Sequence, residues 1–353
     1  MATLHSNPIK SSVLVTGGLG YLGSHTVVQL MNKGYSVIVI DNLINSDQNV
    51  LDRIQKITGT IPIFCKGDIR NSHFLDQVFN QYTISSVIHF AGLKDVSESL
   101  TNPTDYFSNN VSGSITLFGS MRKNNVNTII FSSSANVYGD PISTPIAEDH
   151  PINPTNPYGK SKWMIEEILK DIKTAEPNWK IAILRYFNPV GAHKSGLIGE
   201  CFGPNKTNIM PVLCDAAYTK NFAIPVYGND YSTNDGTPIR DFIHVEDLAS
   251  GHISCLEYLL NSKGIEESLT LNLGTGRPTT ILQLLHAFYE ATGIVVPYEF
   301  KSRREGDISV SFTNPDKAYQ ALSWRANKNI YEMCEDAWRW KLYESQSTKK
   351  LIS

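Results

Sequence analysis

The run Gly17-Gly18-Leu19-Gly20-Tyr21-Leu22-Gly23 constrains the fold of this chain more than any other stretch. It follows Val13-Leu14-Val15-Thr16, which reads as a short buried strand. It leads into an apolar helical pattern through Val27, Val28, Leu30 and Met31 that ends at Gly34. Both GxxGxxG (Gly17, Gly20, Gly23) and GxGxxG (Gly18, Gly20, Gly23) spacings are present. Glycine here permits a tight turn, close backbone approach to a pyrophosphate, and tight helix–sheet packing, with the pyrophosphate on the helix N-terminus. Alone the run is ambiguous, because strand-to-helix turns also use glycine for geometry. The next strand, Tyr35-Ser36-Val37-Ile38-Val39-Ile40, ends in Asp41, at the spacing of a carboxylate that binds ribose hydroxyls. An acid there repels a 2′-phosphate, so the expected cofactor is NAD and not NADP.

Strand-like and helical runs go on alternating. Ile61–Cys65, Val87–Phe90, Ile129–Ser132 and Ile181–Phe187 read as strands, separated by helical segments around 49–57, 73–81, 103–123 and 158–175. This predicts an α/β fold: a doubly wound parallel sheet of the Rossmann type, with ligands outside the strand C-termini. Beyond about residue 189 the alternation breaks, and Pro, Gly and Asn become frequent. The expected division is an NAD-binding domain over 1–188, to which segments near 239–277 return, and a smaller, loop-rich C-terminal substrate domain over 189–353. Short helices are expected at about 209–218, 245–260, 280–292 and 330–342.

A phenol and an ammonium stand four residues apart in Tyr158-Gly159-Lys160-Ser161-Lys162. In a helix these positions share a face, and Asn156 with Pro157 supplies an N-cap and a first helical residue. A tyrosine working as a base near neutrality needs its pKa lowered by about 3 units, roughly 4 kcal/mol. A cation about 4 Å away at an effective dielectric of 20 supplies about that much. A lone pair of this kind is more often a buried ring beside a solvated lysine; the glycine run and Asp41 raise its standing.

Composition narrows the alternatives. A net charge of −3 over 353 residues gives no reason to expect nucleic acid or an anionic membrane as partner. No apolar run approaches the ~18 residues of a membrane span, and residues 1–12 lack the apolar stretch of a signal peptide. Cysteines 65, 201, 214, 255 and 334 are odd in number and free of CxxC spacing, which points to reduced thiols in the cytoplasm. No histidine falls in a ligand spacing, His89 and His244 read as core residues, and no metal is expected.

TGGLGYLGSHT, DNLINS, GDIRN, HFAGLKDVSES, NNVSG, FSSSANVYG, NPYGKSK, RYFNPVGAH, GNDY, RDFIHVEDLA and RREGD together resemble the extended short-chain dehydrogenase/reductase family, and within it the UDP-glucose 4-epimerases. They occur in that family's order from about residue 13 to 342. The resemblance implies interconversion of UDP-galactose and UDP-glucose through a 4-keto sugar, with NAD as a resident electron sink. It implies NAD contacts at Gly17, Gly18, Gly20, Tyr21, Leu22, Gly23, Asp41, Asn42, Asn45, Ser46, Asp68, Ile69, Phe90, Ala91, Gly92, Lys94 and Asn109. Ser134, Tyr158, Lys162 and Phe187 are implied on the nicotinamide side. Tyr158 is the implied base, helped by Ser134, with Lys162 holding the nicotinamide ribose and lowering the phenol's pKa.

Around the UDP-sugar the resemblance implies Asn188, Asn208, Ile209, Tyr227, Arg240, Arg304 and Asp307, besides Ser134 and Tyr158. Arginine forks suit a diphosphate, and a tyrosine ring can stack on uracil. The competing reading of Arg240 is a structural pair with Asp241 or Asp247. Where epimerases commonly carry Ala-Thr after the serine, this chain has Ala135-Asn136. Related 4,6-dehydratases place an Asp-Glu acid/base pair there, which argues against water elimination. Ser311 stands where some epimerases carry a bulky Tyr beside the hexose, so room for a 2-N-acetyl group is expected. The apolar positions Ile115, Leu117, Phe118, Met164, Ile165 and Ile168 read as sheet packing, whereas the resemblance suggests that part of these helix faces forms a homodimer.

Overall fold

The computed structural model describes residues 10–200, 208–262, 268–304 and 307–352. Cys201, and the Glu305-Gly306 part of the RREGD motif, lie outside the described residues. Seven parallel strands form the central sheet: β1 (Lys10–Thr16), β2 (Tyr35–Asp41), β3 (Ile63–Lys66), β4 (Ile84–His89), β5 (Thr128–Ser134), β6 (Lys180–Tyr186) and, much later in the chain, β10 (Ser268–Leu273). Their spatial order is β10-β6-β5-β4-β1-β2-β3. The chain therefore runs outward from β1 to β3, then returns to the other side of β1 and runs outward again. The crevice where the direction reverses lies beyond the C-termini of β1 and β4.

The connecting helices are α1 (Tyr21–Asn32), α2 (Val50–Thr58), α3 (Ser72–Gln81), α4 (Val96–Thr101), α5 (Pro103–Tyr106), α6 (Gly113–Lys123) and α7 (Pro157–Ala175). Between α5 and α6 the expected single helix carries a π-helical turn, Phe107–Ser112. The inner strands are buried on both faces, whereas the edge strand β3 is partly exposed. Val13, Val15, Val37 and Val39 pack toward one side with Val27, Val28 and Ile54. Leu14, Ile38 and Ile40 pack toward the other with Leu75, Leu117 and Ile165. Two separate apolar layers on a run of continuous β-branched residues are what a two-sided parallel sheet requires.

The remainder holds β7 (Asn188–Val190), α8 (Ile209–Thr219), β8 (Ile224–Tyr227), β9 (Ile239–His244), α9 (Val245–Asn261), β11 (Pro278–Thr280), α10 (Ile281–Thr292), β12 (Tyr298–Lys301), β13 (Val310–Ser311), α11 (Asp316–Leu322) and α12 (Ile330–Ile352). Strand β9 pairs with β7, β11 and β13, and β8 pairs with β12. A third core joins α8, α10 and α12 through Leu213, Phe288 and Cys334. Helix α9 packs back against α1. Helix α12 runs well past the 330–342 expected from its apolar periodicity. Among the described residues no helix is long and apolar enough to cross a membrane.

Candidate active site

The glycine run forms the turn from β1 to α1. Gly17 has φ +67°, and a Cβ there would lie 2.7 Å from the backbone nitrogen of Ala91, so only glycine lets the two switch-point loops touch. A Cβ on Gly23 would meet the Gly17 carbonyl oxygen at 2.2 Å. Helix α1 starts at Gly20 with no side-chain cap and no acid in its first turn. Free N–H groups at an uncapped, unopposed helix N-terminus suit a pyrophosphate. The cradle therefore fits a dinucleotide.

Asp41 stands at the end of β2, 7% exposed. Its carboxylate accepts from the backbone nitrogens of Leu19 (3.0 Å) and Leu43 (3.0 Å) and from Ser46 Oγ (2.7 Å). These donors tie the glycine loop to the loop after β2 and aim the carboxylate. Asn42 donates to Asp68 (3.1 Å), which also takes Arg70. The Arg70 guanidinium holds the Asp68 carboxyl down at about 2, against a burial effect in the other direction. Ile69 is buried beside it on the loop after β3, and Asn45 is exposed on the loop after β2.

Phe90 and Ala91 both donate backbone N–H to Thr16 O, which brings the ends of β4 and β1 together. The loop that follows, with Gly92 and Lys94, is clamped by Asn110. Its Oδ1 accepts from Leu93 N (2.8 Å), and its Nδ2 donates to Leu93 O and to Ser161 Oγ (3.0 Å each). Asn110 lies in the π turn next to Asn109, a buried NAD candidate. The sequence reading missed this clamp, although NNVSG names both asparagines.

Helix α7 starts as expected, with Asn156 Oδ1 accepting from Gly159 N at 2.8 Å and Pro157 at its first position. Tyr158 hydrogen-bonds Ser134, at the end of β5. Asn136 donates to Ser134 Oγ from its backbone (3.2 Å) and side chain (3.0 Å). Asn136 therefore turns toward the serine and orients it.

Lys162 behaves differently from the expectation. Its Nζ donates to Ser132 O at 2.7 Å and stands 5.9 Å from the Tyr158 ring centroid and 5.0 Å from that of Phe131. Burial brings Lys162 down to about 8, opposed by the Glu166 charge. Burial pushes the Tyr158 phenol up; the Ser134 hydrogen bond and the Lys94 charge pull it down. The cation whose charge pulls the phenol down in this arrangement is Lys94. The i,i+4 spacing aims the ammonium at the ring, where the Ser132 carbonyl holds it.

Behind Lys162 runs a buried network. Glu166 accepts from Ser133 Oγ (2.5 Å) and pairs with Arg185 (2.6 Å), which donates to Tyr138 OH (2.9 Å); that hydroxyl donates to Asn272 (2.6 Å). It links α7, β5, β6 and β10 and fixes the axis on which Tyr158 and Lys162 sit. Phe187 is buried just past β6, its N–H donating to Leu273 O, and Asn188 follows on β7.

The substrate-side candidates form two groups. Arg240 on β9 donates to Asp307 (2.6 Å), and Ser311 pairs with Arg240 in the β9–β13 register. The competing partners are engaged elsewhere: Asp241 accepts from Thr275, Gly276 and Thr313, and Asp247 from the backbone of Asn327 and Lys328. The Arg304 guanidinium lies over the Tyr227 ring, 3.8 Å from its centroid. Asn208 holds the N-cap position of α8 ahead of Ile209 without a side-chain cap bond, and its amide donates to Glu200 (2.7 Å). Tyr21 OH donates to Gly191 O (2.7 Å), joining α1 to the loop after β7.

His89 is a core residue, bonded to Thr16 Oγ1 (2.7 Å) and Ser114 Oγ (2.9 Å). His244 is buried against Asp336 (3.1 Å). With Glu246 it forms a cluster of ligand-type atoms that sequence spacing could not reveal. Lys328 stands 3.3 Å from Asp336 and 3.5 Å from Glu246, and Arg339 also pairs with Asp336, so the carboxylates already have this chain's own cations.

Residues 13–274 match the model of the NAD dependent epimerase/dehydratase family. A UDP-glucose 4-epimerase of Bacillus subtilis is 48% identical over 94% of this chain and 96% of its own length. A Stenotrophomonas maltophila UDP-glucose 4-epimerase structure, with bound NAD and formylated UDP-arabinopyranose, superposes with a TM-score of 0.93 at 43% identity, covering 96% of this chain and all of that one. The Bifidobacterium longum enzyme, in complex with NAD+ and UDP, gives a TM-score of 0.90 at 43% identity over 95% and 99%.

Proposed function

The chain belongs to the NAD dependent epimerase/dehydratase family, and within it we propose that it is a UDP-glucose 4-epimerase of galactose metabolism, interconverting UDP-galactose and UDP-glucose. The observation that carries this reading is the convergence of the Tyr158 phenol, Ser134 and Lys94 at the mouth of a glycine cradle fitted to a dinucleotide. NAD held by the glycine loop and Asp41 would supply the hydride-accepting and hydride-returning chemistry at C4 of the hexose. Tyr158 takes the proton from the 4-hydroxyl and later gives it back, with Ser134 positioned by Asn136 beside it. Lys162 offers its ammonium to the nicotinamide ribose, and Asp41 its carboxylate to the other ribose. The remaining NAD contacts are those the glycine loop, Asn42, Ser46, Asp68, Ile69, the loop from Phe90 to Lys94, Asn109 and Phe187 can make.

For the UDP-sugar we assign Asn188, Asn208, Ile209, Tyr227, Arg240, Arg304 and Asp307. The cation already stacked on Tyr227 and the Arg240–Asp307 pair favour a diphosphate and a base in that cleft. Ser311, opposite Arg240 in the strand register, is far smaller than the tyrosine some epimerases carry, and on that ground we assign UDP-N-acetylhexosamines as further substrates. We divide the chain into an NAD-binding unit, 1–188 with the returning segments near 239–277, and a mainly UDP-sugar-binding unit, 189–353. Of the helix positions noted above, Leu117, Phe118 and Ile165 are buried, whereas Ile115 and Met164 are 51% and 40% exposed and Leu100 on α4 is 61% exposed. This apolar face favours a homodimer. Cys65, Cys214, Cys255 and Cys334 are free thiols, in keeping with a cytoplasmic location.

Purified protein incubated with UDP-galactose and no added nucleotide is the test. The expected result is UDP-glucose with no accumulation in the reduced-nicotinamide absorption band. Net NADH formation, or no product, overturns the reading.

A further inference from the structure

Glu200 lies outside every set of residues assigned above, yet one of its oxygens joins both halves of the cleft. Its Oε1 accepts from Lys94 Nζ at 2.8 Å and from Asn208 Nδ2 at 2.7 Å. Lys94 rides the loop after β4, clamped by Asn110. Asn208 holds the N-cap position of α8. From the C-terminal side, Trp340 Nε1 donates to the Glu200 carbonyl at 2.9 Å, and a Cβ on neighbouring Gly199 would meet the Trp340 ring at 2.4 Å. The carboxylate is thus held from behind by α12 and presented forward to two chain segments more than a hundred residues apart.

Stability is a poor explanation for this bridge. The Lys94 side chain is 60% exposed and Glu200 14% exposed. Ion pairs with one open partner add little to folding because solvent screens them. Position is the better explanation: an unrestrained lysine has several rotatable bonds, and its ammonium would spend most of its time away from any one spot. Lys94 is also the cation whose charge pulls the half-buried Tyr158 phenol toward ionisation. A neighbouring carboxylate that fixes Lys94 therefore fixes where that charge sits.

We propose that Glu200 is a positioning residue, which holds Lys94 at the nicotinamide end and Asn208 at the nucleotide-sugar end in one register across the cleft. The inference rests on the epimerase reading, so turnover of UDP-galactose by the wild type is established first. A wild type that fails here defeats that reading and leaves the bridge to other substrates.

The experiment is a double-mutant cycle on the NAD-loaded protein: Glu200→Ala, Lys94→Ala, the double variant, and Glu200→Gln, each measured for kcat, for KM with UDP-galactose, and for melting temperature. Glu200→Ala should lower kcat about 10-fold through Lys94 and raise KM several-fold through Asn208. The double variant should have the kcat of the Lys94→Ala single, because the carboxylate acts on kcat only through that lysine. Glu200→Gln, which keeps an oxygen acceptor, should recover most of the KM effect and less of the kcat effect. Losses in kcat that multiply in the double variant would overturn the proposal. So would Glu200→Ala within 2-fold of wild type in both constants, or a fall in activity that follows lost folding in both Glu200 variants.

Discussion

Replacing Gly23 by alanine tests whether the glycine cradle is built for a dinucleotide or merely for a turn. The added Cβ would lie 2.2 Å from the Gly17 carbonyl oxygen and 2.7 Å from Gly18 Cα, both backbone atoms. Ordinary contact begins near 3.4 Å, so the helix and loop must part by about 1.2 Å along that line. Neither side yields easily: Gly17 N–H donates to Ile40 O at 2.7 Å, and Gly17 is packed against Ala91. Overpacking of this kind costs about 1–3 kcal/mol. An unfolding entropy near 2.1 cal/mol/K per residue spreads that over a long chain, as a fall in Tm of about 1–4 °C. The effect on NAD is larger, because hydrogen bonds to a charged phosphate contribute about 1.5–3 kcal/mol each and depend steeply on geometry. Losing one or two of them weakens binding roughly 10- to 10⁴-fold. The assay counts nucleotide released per protomer on denaturing purified protein, beside a thermal melt. The expected result is sub-stoichiometric NAD, restored by added NAD, with a melt only slightly lowered. Full NAD with an unchanged melt refutes the argument, as does a large fall in Tm with NAD retained.

Tyr158→Phe removes the proton carrier without changing the ring, so turnover should fall by orders of magnitude while NAD stays bound; wild-type rates would remove it from the mechanism. Because burial raises the Tyr158 pKa and Lys94 lowers it, the rate should climb with pH through the phenol's ionisation, and Lys94→Ala should move that limb to higher pH; a limb that stays put or moves down excludes Lys94 as the acidifying charge. Burial holds His25 and His89 near 3 and His252 near 4. An unfolded chain takes up these protons near pH 6.5 and the folded one does not, so stability falls from there toward pH 4, by roughly 2 kcal/mol per histidine at pH 5; melts that stay flat between pH 7.5 and 5 contradict this. Glu166→Gln strands the buried Arg185 charge and should cost about 3–5 kcal/mol in urea unfolding, against little change expected for an exposed carboxylate such as Glu167. Ser311→Tyr should lower the ratio of UDP-N-acetylgalactosamine to UDP-galactose turnover, and an unchanged ratio discards the spacious-pocket reading.

Where the signal was local, the residues declared the structure. Asn156 and Pro157 set the start of α7 to the residue, and continuous β-branched runs marked both-face-buried strands. The sequence pattern from 103 to 123 looked like one helix because a π turn inserts a residue without altering composition. That insertion turns Asn110 inward to clamp the cofactor loop. The small β8–β12 sheet was invisible because Tyr298 to Lys301 are all exposed and carry no alternation of burial. Arg240 shows the bias of reading neighbours: its partner is Asp307, 67 positions on, while the nearer acids answer to backbone N–H groups. Glu200 carried no motif at all, since its role depends on two segments brought together only by the finished fold.

The tyrosine–lysine pair marks the sharpest limit of sequence reasoning. Four-residue spacing guarantees a shared helix face, but not that the ammonium reaches the hydroxyl. A lysine buried at this depth needs an acceptor, and the nearest is the Ser132 carbonyl at the end of β5, which draws Nζ beneath the ring. Coulomb attraction falls only inversely with distance, so Lys162 still helps, but the partly desolvated phenol remains raised overall. The missing stabilisation must come from charge that arrives at the hydroxyl end. Lys94 supplies one such charge, its ammonium held by Glu200 at 2.8 Å. In the epimerase reading a cationic nicotinamide held in the cradle would add to that charge, and proton removal by Tyr158 would then depend on oxidised cofactor being bound.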